Sequence, residues 1–435
     1  MHRKNVKRLP ALVVGALLSI TAPGTVAARD WGARPVAEKY RPNRAWIKHF
    51  HDKADVVAHG SIAGAIESCD EVVGPHGYCT IQVEGDAELP VEIFRSNTKL
   101  IGVKGMKALR SPKNGAFIYI GDGTRHVVIE NLRLQGHRAG KKDIYGIIVE
   151  GKKIRDILIR GNEIFGFESD SNAHAIAVYG TGANSKESIA RVIIEKNTVH
   201  DMKTGSSESI AINGNVQRWE ILRNDIYDIN NIAIDAIGGE GTAPTRTKKG
   251  RTLPGRFDVA RYGFIEDNYV ENMHTKGNPA YGRRESWAAA IYIDGGRDIL
   301  VKDNVVDNSA WAYEVGAENC VITRNVTMVG NSAQESYYGD LVLGGYAHKG
   351  FWADKSINCD PRSSEDRSEG HGYVRYLTVH QNSFDSEGTK EKKILPQFRV
   401  THAIVAEPGV KPVNAQGDGR ARGDQNAIRT DDPDE

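Results

Sequence analysis

The sequence predicts an all-β fold built as a parallel β-solenoid, and three observations lead to this prediction. Short segments of alternating apolar and polar residues recur along most of the chain. These segments belong to two families that alternate strictly, eight times. The composition agrees, because 46 glycines and only 7% aromatic residues suit a turn-rich β protein better than a helical one.

The first segment family predicts strands with one buried face. Its members alternate apolar and polar positions, as strands do when successive side chains point to opposite faces. The shortest repeat advances 22 residues, from Asn213 to Asp235, which is the size of one solenoid coil. The members are FIYIG (117–121), GIIVE (146–150), AIAVY (175–179), SIAIN (209–213), NIAID (231–235), AIYID (290–294), AYEVG (312–316) and DLVLG (340–344).

The second family lies between the members of the first and carries one asparagine in each segment. Stacked coils lie about 4.8 Å apart, so equivalent asparagines are expected to form a ladder. Such a ladder satisfies buried backbone groups at a turn, which makes its predicted role structural. The asparagines are Asn131, Asn162, Asn197, Asn224, Asn268, Asn304, Asn325 and Asn382.

This repeat and its asparagines resemble the right-handed parallel β-helix proteins of the pectate lyase-like superfamily. That group includes pectate lyases, chondroitinase B-type lyases and alginate epimerases. The resemblance covers roughly residues 80–405 and implies a single-stranded right-handed parallel β-helix. The general hand of parallel crossovers agrees with it. Catalytic signatures of the individual families are not found in the chain, so the resemblance implies the fold and leaves the reaction open.

The residues before the repeat predict two further segments. A basic start, the apolar stretch 11–20 and the small residues 26–28 predict a secretory signal peptide over 1–28. Residues 29–80 then form an N-terminal segment and cap. Within it, SIAGAIESC (61–69) predicts a short helix that covers the open end of the first coil. We therefore expect a secreted or periplasmic protein without membrane insertion.

The solenoid domain is predicted over 81–406, and a separate tail follows it. The tail 407–435 is rich in Gly, Arg and Asp, and we expect it to be disordered. Four cysteines in an exported chain favour disulfides over metal ligation. The simplest of the three possible pairings joins Cys69 to Cys79 and Cys320 to Cys359.

Outward-facing residues at the strand ends suggest a functional column. We align Asn213, Asp235 and Asp294 on three consecutive coils, with Asp235 and Asp294 one coil apart. The position two residues earlier holds Ala211, Ala233, Tyr292 and Glu314 in the same alignment. Small alanines on an exposed sheet would leave room for a ligand, and clustered acids repel each other unless they have a use.

Long links lie beside this column. Insertions near 236–262 and 345–373 leave the same edge of the solenoid, and a third link, 268–294, carries Arg283 and Arg284. Long loops around a fixed platform are common places for function. The sequence therefore predicts a site between these loops.

Oxygen ligands in this region suggest a possible Ca²⁺ site. Glu208, Asn213, Asp235 and Asp294 could supply three or more oxygens to the ion. A turn role is the alternative for each of them, since Asp and Asn at strand ends also form turn hydrogen bonds.

The catalytic candidates are chosen for uronate chemistry or for hydrolysis. The acids are Asp235, Asp294 and Glu314, which could stabilise charge or act as a general acid and base. The cationic candidates are Lys203, Arg283 and Arg284. Tyr292 and His174 are candidates for substrate binding. A solvated turn or surface position is the alternative for Lys203, His174 and both arginines.

A function on an acidic polysaccharide follows as the leading hypothesis. The 57 Lys and Arg nearly balance the 56 Asp and Glu, which argues against a nucleic-acid partner. An exported solenoid with acids and bases between long loops suits a polysaccharide lyase that acts by β-elimination. The alternatives are a glycan- or surface-binding protein without catalysis, or an epimerase or glycoside hydrolase on the same fold. We expect a monomer.

Overall fold

The computed structural model describes residues 33–34, 36–248, 251–285, 288–317, 319, 321–345, 373–385, 394–396, 400–406 and 428–429. Within these residues the chain forms a right-handed parallel β-helix with three faces. The predicted fold class is confirmed. The predicted signal peptide lies outside the described residues, as does the tail 407–435 apart from 428–429.

Three parallel sheets run the length of the β-helix, and we name them A, B and C in the order in which each coil visits them. Sheet A has thirteen strands: Val56–Ala58, Cys79–Val83, Thr98–Gly102, Arg125–Glu130, Arg155–Arg160, Ile189–Glu195, Val216–Leu222, Arg261–Glu266, Arg297–Lys302, Ile322–Val329, Tyr373–His380, Val400–Ala406 and Ile428–Arg429. Sheet B has eight: Arg133–Gln135, Glu163–Phe165, Thr198–Met202, Asp225–Ile229, Tyr269–Met273, Val305–Ser309, Ser332–Gln334 and Ser383–Phe384. Sheet C has ten: Val91–Ile93, Gly115–Ile120, Ile144–Gly151, Ala173–Gly180, Glu208–Gly214, Ile232–Ile237, Ala289–Asp294, Trp311–Ala317, Gly339–Gly345 and Ile394–Pro396.

The predicted capping helix is present and spans Ile62–Val73. The Ser61 hydroxyl accepts a hydrogen bond from the Gly64 amide at 3.1 Å, which satisfies a free donor at the helix start. The apolar face of the helix joins the interior of the first coils. The predicted Cys69–Cys79 disulfide is confirmed and ties the helix to sheet A. Cys320 and Cys359 lie outside the described residues.

The remaining elements are short. Residues Arg246–Lys248 and Arg251–Leu253 form a small antiparallel hairpin. Four short 3₁₀ turns complete the described secondary structure: Glu38–Tyr40, Ala45–His49, Ser185–Glu187 and Pro279–Tyr281. In the described part of the chain, no helix is both long enough and apolar enough to cross a bilayer.

An asparagine ladder runs along the turn between sheets A and B, as predicted. From Asn162 to Asn331, each side-chain amide donates to the amide oxygen of the asparagine on the next coil at 2.8–3.0 Å. The same oxygens accept a backbone N–H, so buried polar groups are paired along the whole turn. The members are Asn162, Asn197, Asn224, Asn268, Asn304, Asn331 and Asn382.

Two of the predicted ladder members were wrong. Asn131 lies one residue before the turn position, which Leu132 occupies in that coil. Asn325 lies within the strand Ile322–Val329 and donates to Asp298 at 2.7 Å. Because this strand is long, its turn comes later, and Asn331 takes the ladder position.

The N-terminal segment 36–50 covers the outer face of sheet A. Trp46 packs on apolar side chains of three successive strands, including Leu158. Arg44 forms ion pairs of 2.7 Å with both Glu195 and Glu220, whose side chains are 3% exposed. Arg41 pairs with Glu220 and with Glu266 on the next coil. This part of sheet A is therefore closed by the chain itself.

Candidate functional site

Long links flank sheet C on both edges. The edge towards sheet A carries the insertion between Ile237 and Arg261, and the link 346–372 follows a strand of the same sheet. At the opposite edge, the link 274–288 connects sheet B to sheet C. Sheet C is thus the face of the β-helix between the longest loops, where functional residues are most often found.

The outer face of sheet C presents three columns of side chains. The strand register defines them, since paired residues on adjacent strands point to the same face. The first column holds Tyr145, His174, Glu208, Ile232, Ala289 and Trp311. The middle column holds Ile148, Ala177, Ala211, Asp235, Tyr292, Glu314 and Val342. The third column holds Glu150, Tyr179, Asn213, Ile237, Asp294 and Gly316.

The predicted register of Asp235 was wrong by two residues. Asp235 pairs with Ala211 and Tyr292, so it does not share a column with Asn213 and Asp294. It is a diagonal neighbour of Asp294 instead of being stacked one coil away. The sequence alignment ended the strand at Asp235, whereas the strand continues to Ile237, an apolar residue that faces outward and is buried.

The face is also more covered than predicted. The two alanines Ala177 and Ala211 are 0% exposed, and Asp235 is 3% exposed. Tyr292, Asp294 and Glu314 are buried as well. The half-exposed residues are Tyr145, Glu150, Tyr179 and Glu208. A ligand from solution therefore meets the face first at these four residues.

A histidine–tyrosine pair lies at this accessible end. The Tyr179 hydroxyl is 2.8 Å from His174 Nε2, and the two rings meet edge to face. Tyr145 stacks on the other side of the histidine, with an interplanar angle of 7°. His174 is 1% exposed, whereas Tyr179 is half-buried. Tyr179 is therefore the member of the pair that a ligand can reach.

Burial keeps both members of the pair neutral. Loss of solvent lowers the pKa of His174 to about 4, although the Glu208 backbone and the Asp143 charge oppose this change. Burial also raises the pKa of Tyr179 well above its usual value, and the charge of Glu208 adds to the effect. At neutral pH an uncharged imidazole thus faces an uncharged phenol. Both shifts favour the uncharged forms, so a proton can pass from the phenol to the imidazole only in concert with proton uptake by the phenol oxygen.

Two alanines form the floor beside this pair. Ala177 lies between His174 and Tyr179 on one strand, and Ala211 lies between Glu208 and Asn213 on the next. Asp235 follows Ala211 in the same column and closes the far end of the floor. The register therefore brings together three predicted residues, Glu208, Asn213 and Asp235, around a strip of small side chains.

Asn213 connects this floor to the insertion 238–260. Its amide nitrogen donates to Glu240 at 2.6 Å, and its amide oxygen accepts from Thr242 at 2.7 Å. Asp258 is buried in the same insertion and accepts the Gly241 and Ala243 amides. Both ends of the Asn213 side chain are thus engaged within the protein, so its geometry suits a tether for the insertion.

The strand register does not place the four predicted Ca²⁺ ligands in one column. The register separates Asp235 from Asn213 and Asp294, and Ile237 lies between the latter two in their column. Across the residues that the structure describes, no group of three or more His, Cys, Asp or Glu side chains could hold a metal ion. Calcium binding stays a prediction, and no catalytic step is derived from it.

The three basic candidates lie away from the centre of the outer face of sheet C. Lys203 is 62% exposed and forms an ion pair of 3.1 Å with Glu168 on the neighbouring coil. Arg283 and Arg284 are exposed in the link 274–288, and the Arg283 side chain donates to the Gly277 carbonyl at 3.5 Å. The structure does not bring these three side chains to the alanine floor.

The other predicted residues lie further along the middle and third columns. Tyr292 packs against Ile232 and Ala288, and its hydroxyl reaches over Gly316. Glu314 follows Tyr292 in the middle column. Asp294 accepts a hydrogen bond from Asn319 at 3.3 Å. These residues form the deeper, covered part of the face.

Tyr179 was not among the site residues predicted from the sequence. Tyr179 ends the predicted strand 175–179, at the position equivalent to Asn213, but the predicted site was built on the acidic residues of the neighbouring strands. The available signal was its position five residues after His174, since a bulge in the strand puts both side chains on one face around Ala177.

No protein-family model matches the chain. One curated relative, the uncharacterized protein YwoF of Bacillus subtilis (strain 168), is 31% identical over 280 residues. The match covers 63% of this chain and 56% of the relative, so the chain spans little more than half of that protein's length.

Solved structures give distant similarities. The A-module of the Azotobacter vinelandii mannuronan C-5 epimerase AlgE6 has a TM-score of 0.44 and 10% identity, and covers 79% of this chain and 88% of its own. PfbA, a surface adhesin of Streptococcus pneumoniae, has a TM-score of 0.45 and 14% identity, and covers 82% and 84%. Similarity at this level does not indicate an activity. What the chain itself establishes is a right-handed parallel β-helix whose sheet C carries a covered, acid-lined face.

Proposed function

We propose that the protein is exported and cleaves an acidic, uronate-containing polysaccharide by β-elimination. The observation that carries this proposal is the Tyr179–His174 pair at 2.8 Å, neutral through burial and placed beside the alanine floor. The half-exposed Tyr145, Glu150 and Glu208 around it would line the entrance. The Cys69–Cys79 disulfide supports export, because such bonds persist in oxidising compartments.

The proposed reaction moves one proton across the substrate. The Tyr179 oxygen takes the proton from C5 while its own proton passes to His174 Nε2. The C4–O4 bond breaks, a C4=C5 double bond forms, and Tyr179 returns a proton to O4. His174 then gives its proton back to Tyr179, so the protein ends unchanged. The sugar ring would approach Tyr179 from the side of the half-exposed Tyr145, Glu150 and Glu208, because Ala177 and Ala211 are 0% exposed.

Glycoside hydrolysis is the second candidate, because of the middle column. Asp235 and Glu314 lie in this column with Tyr292 between them, two coils apart. Two coil steps amount to roughly 9.6 Å between backbones. Inverting hydrolases hold their two carboxylates about 6.5–9.5 Å apart. Hydrolysis is the less favoured candidate because Asp235 and Glu314 are both buried, so a substrate could not reach them without displacing the residues that cover them.

One assay separates these reactions. The full chain is incubated with pectate, alginate, glucuronan and glycosaminoglycans, each with calcium and with a chelator. Elimination yields an unsaturated uronate that absorbs ultraviolet light, whereas hydrolysis yields new reducing ends without this absorbance. If no polymer is shortened and none gains absorbance, both proposals fail, and a binding function without catalysis takes their place.

The pH dependence gives a further prediction. A neutral His174 is required, and burial lowers its pKa from 6.5 to about 4. The acid limb of kcat/KM is therefore expected near pH 4, so that activity at pH 5.5 stays close to its value at pH 7. A histidine with an ordinary pKa would be mostly protonated at pH 5.5. An acid limb centred near pH 6.5 would contradict the proposed role of this pair.

A further inference from the structure

A column of arginines runs along sheet A, close to the edge that it shares with sheet C. One register position is arginine on six of the eight consecutive strands from Arg125–Glu130 to Tyr373–His380. The last four of these strands all carry it. The column consists of Arg125, Arg155, Arg261, Arg297, Arg324 and Arg375.

The central arginines lack the acidic partners that other arginines of sheet A have. Arg191, for example, is held by both oxygens of Asp156 at 2.6 Å. Within the described part of the chain, Arg297 and Arg324 form no ion pair within 4.0 Å. Arg297 donates to the Ile322 carbonyl at 3.3 Å, and Arg324 is exposed.

Further positive charge surrounds this pair. Arg261 is buried beside Arg297 and donates to the Asn215 side chain and the Val259 carbonyl. Arg256 and Arg261 both lie 5.5 Å from the Phe257 ring. Four guanidinium groups therefore cluster here, and Asp298 is the acid that acts on Arg297.

The cluster is electrostatically unfavourable as it stands. Burial, followed by the charges of Arg324, Arg261 and Arg256, lowers the pKa of Arg297 to about 10, although the charge of Asp298 opposes the change. Stacked cations cost free energy unless an anion relieves them. A planar guanidinium binds a carboxylate or sulfate through two parallel hydrogen bonds. The arrangement therefore suits an anionic ligand with more than one charged group.

We propose that Arg297 and Arg324, with Arg256 and Arg261 beside them, bind successive anionic groups of an acidic polysaccharide. Adjacent strands place these arginines about 4.8 Å apart, which is on the order of one sugar unit. Arg297 follows Asp294 of sheet C by only three residues, across the turn Gly295–Gly296. For its ligand class the inference rests on the proposed function, but it concerns binding and does not require catalysis.

Binding measurements on the full chain test this site. Titration calorimetry with pectate, alginate and chondroitin sulfate uses the Tyr179→Phe background to prevent cleavage, and neutral dextran is the reference. Arg324→Gln is expected to raise Kd roughly tenfold, as for the loss of a charged hydrogen bond. The matched control is Arg110→Gln, which removes an exposed arginine bonded to Gln135 near sheet B and should change Kd less than about twofold.

The outcomes separate this inference from the proposed function. A double variant, Arg297→Gln with Arg324→Gln, should bind more weakly still, and the exposed Arg324 alone decides the question if the double variant does not fold. Equal Kd values for Arg324→Gln and Arg110→Gln would overturn the inference, even if the chain proves to be a lyase. Loss of binding in Arg324→Gln, without cleavage of any polymer by the wild-type chain, would support the inference and remove the lyase proposal.

Discussion

Replacing Tyr179 with phenylalanine is expected to lower kcat on a cleaved polysaccharide by about 10²–10⁴-fold, the usual contribution of a positioned proton-transfer group. The variant loses only the hydroxyl that lies 2.8 Å from His174 Nε2. The ring stays, and Tyr179 is half-buried, so the fold should tolerate the change. Because the hydroxyl acts in the transition state, KM should change far less than kcat.

The control for this variant is Tyr227→Phe. Tyr227 is also half-exposed, but it lies on sheet B, stacked on His200 with ring centroids 4.9 Å apart. It should keep wild-type kcat and a similar melting temperature. If Tyr179→Phe retains kcat within about twofold while both variants stay folded, Tyr179 transfers no proton in the rate-limiting step.

The fold could be predicted from sequence because its signals are local and repeated. Alternation of period two marks each strand, and the asparagines mark the turn from sheet A to sheet B. Seven ladder positions are occupied, and six of them were predicted correctly. The errors at Asn131 and Asn325 show the limit of this signal. The sequence does not distinguish an asparagine at the turn position from one that lies a few residues away.

The site was harder to predict because it depends on register. Asp235 was assigned to the end of its strand, yet two more residues, Ala236 and Ile237, continue the strand. Ile237 faces outward, where the alternation predicts a polar residue. This apolar side chain is tolerated there because it is buried. The shift of two residues keeps Asp235 on its predicted outer face but changes its neighbours, whereas Ala233, predicted to face outward, lies in the core. The acids were therefore correctly placed outside the core and wrongly paired with one another.

Contacts made outside the repeat could not be predicted from the sequence. The N-terminal segment lies on sheet A through Arg41 and Arg44, whose carboxylate partners on that sheet are more than 150 residues away in the chain. The same holds for the arginine column, whose members look like ordinary loop and strand cations until the register stacks them. The sequence does not show which residues of neighbouring coils pair when a long insertion separates them. Both candidate sites depend on this pairing.

Replacing Asn268 with alanine is expected to lower the free energy of unfolding by roughly 3–5 kcal/mol, because several buried groups lose a partner together. Its oxygen accepts the backbone and side-chain N–H groups of Asn224, and its nitrogen donates to Ile221 and Asn304, all at 2.9–3.0 Å. The side chain is 1% exposed, so water cannot easily replace it.

The matched control is Asn325→Ala, at an asparagine that the sequence alone placed in the ladder. Its nitrogen bonds Asp298 at a half-buried position, so its loss should cost no more than about 1 kcal/mol. Urea unfolding followed by circular dichroism measures both variants against the wild type. Equal midpoints for the two variants would mean that the ladder contributes no more than a surface hydrogen bond. A midpoint far lower for Asn268→Ala would place the stabilising column where the structure has it, at the turn between sheets A and B.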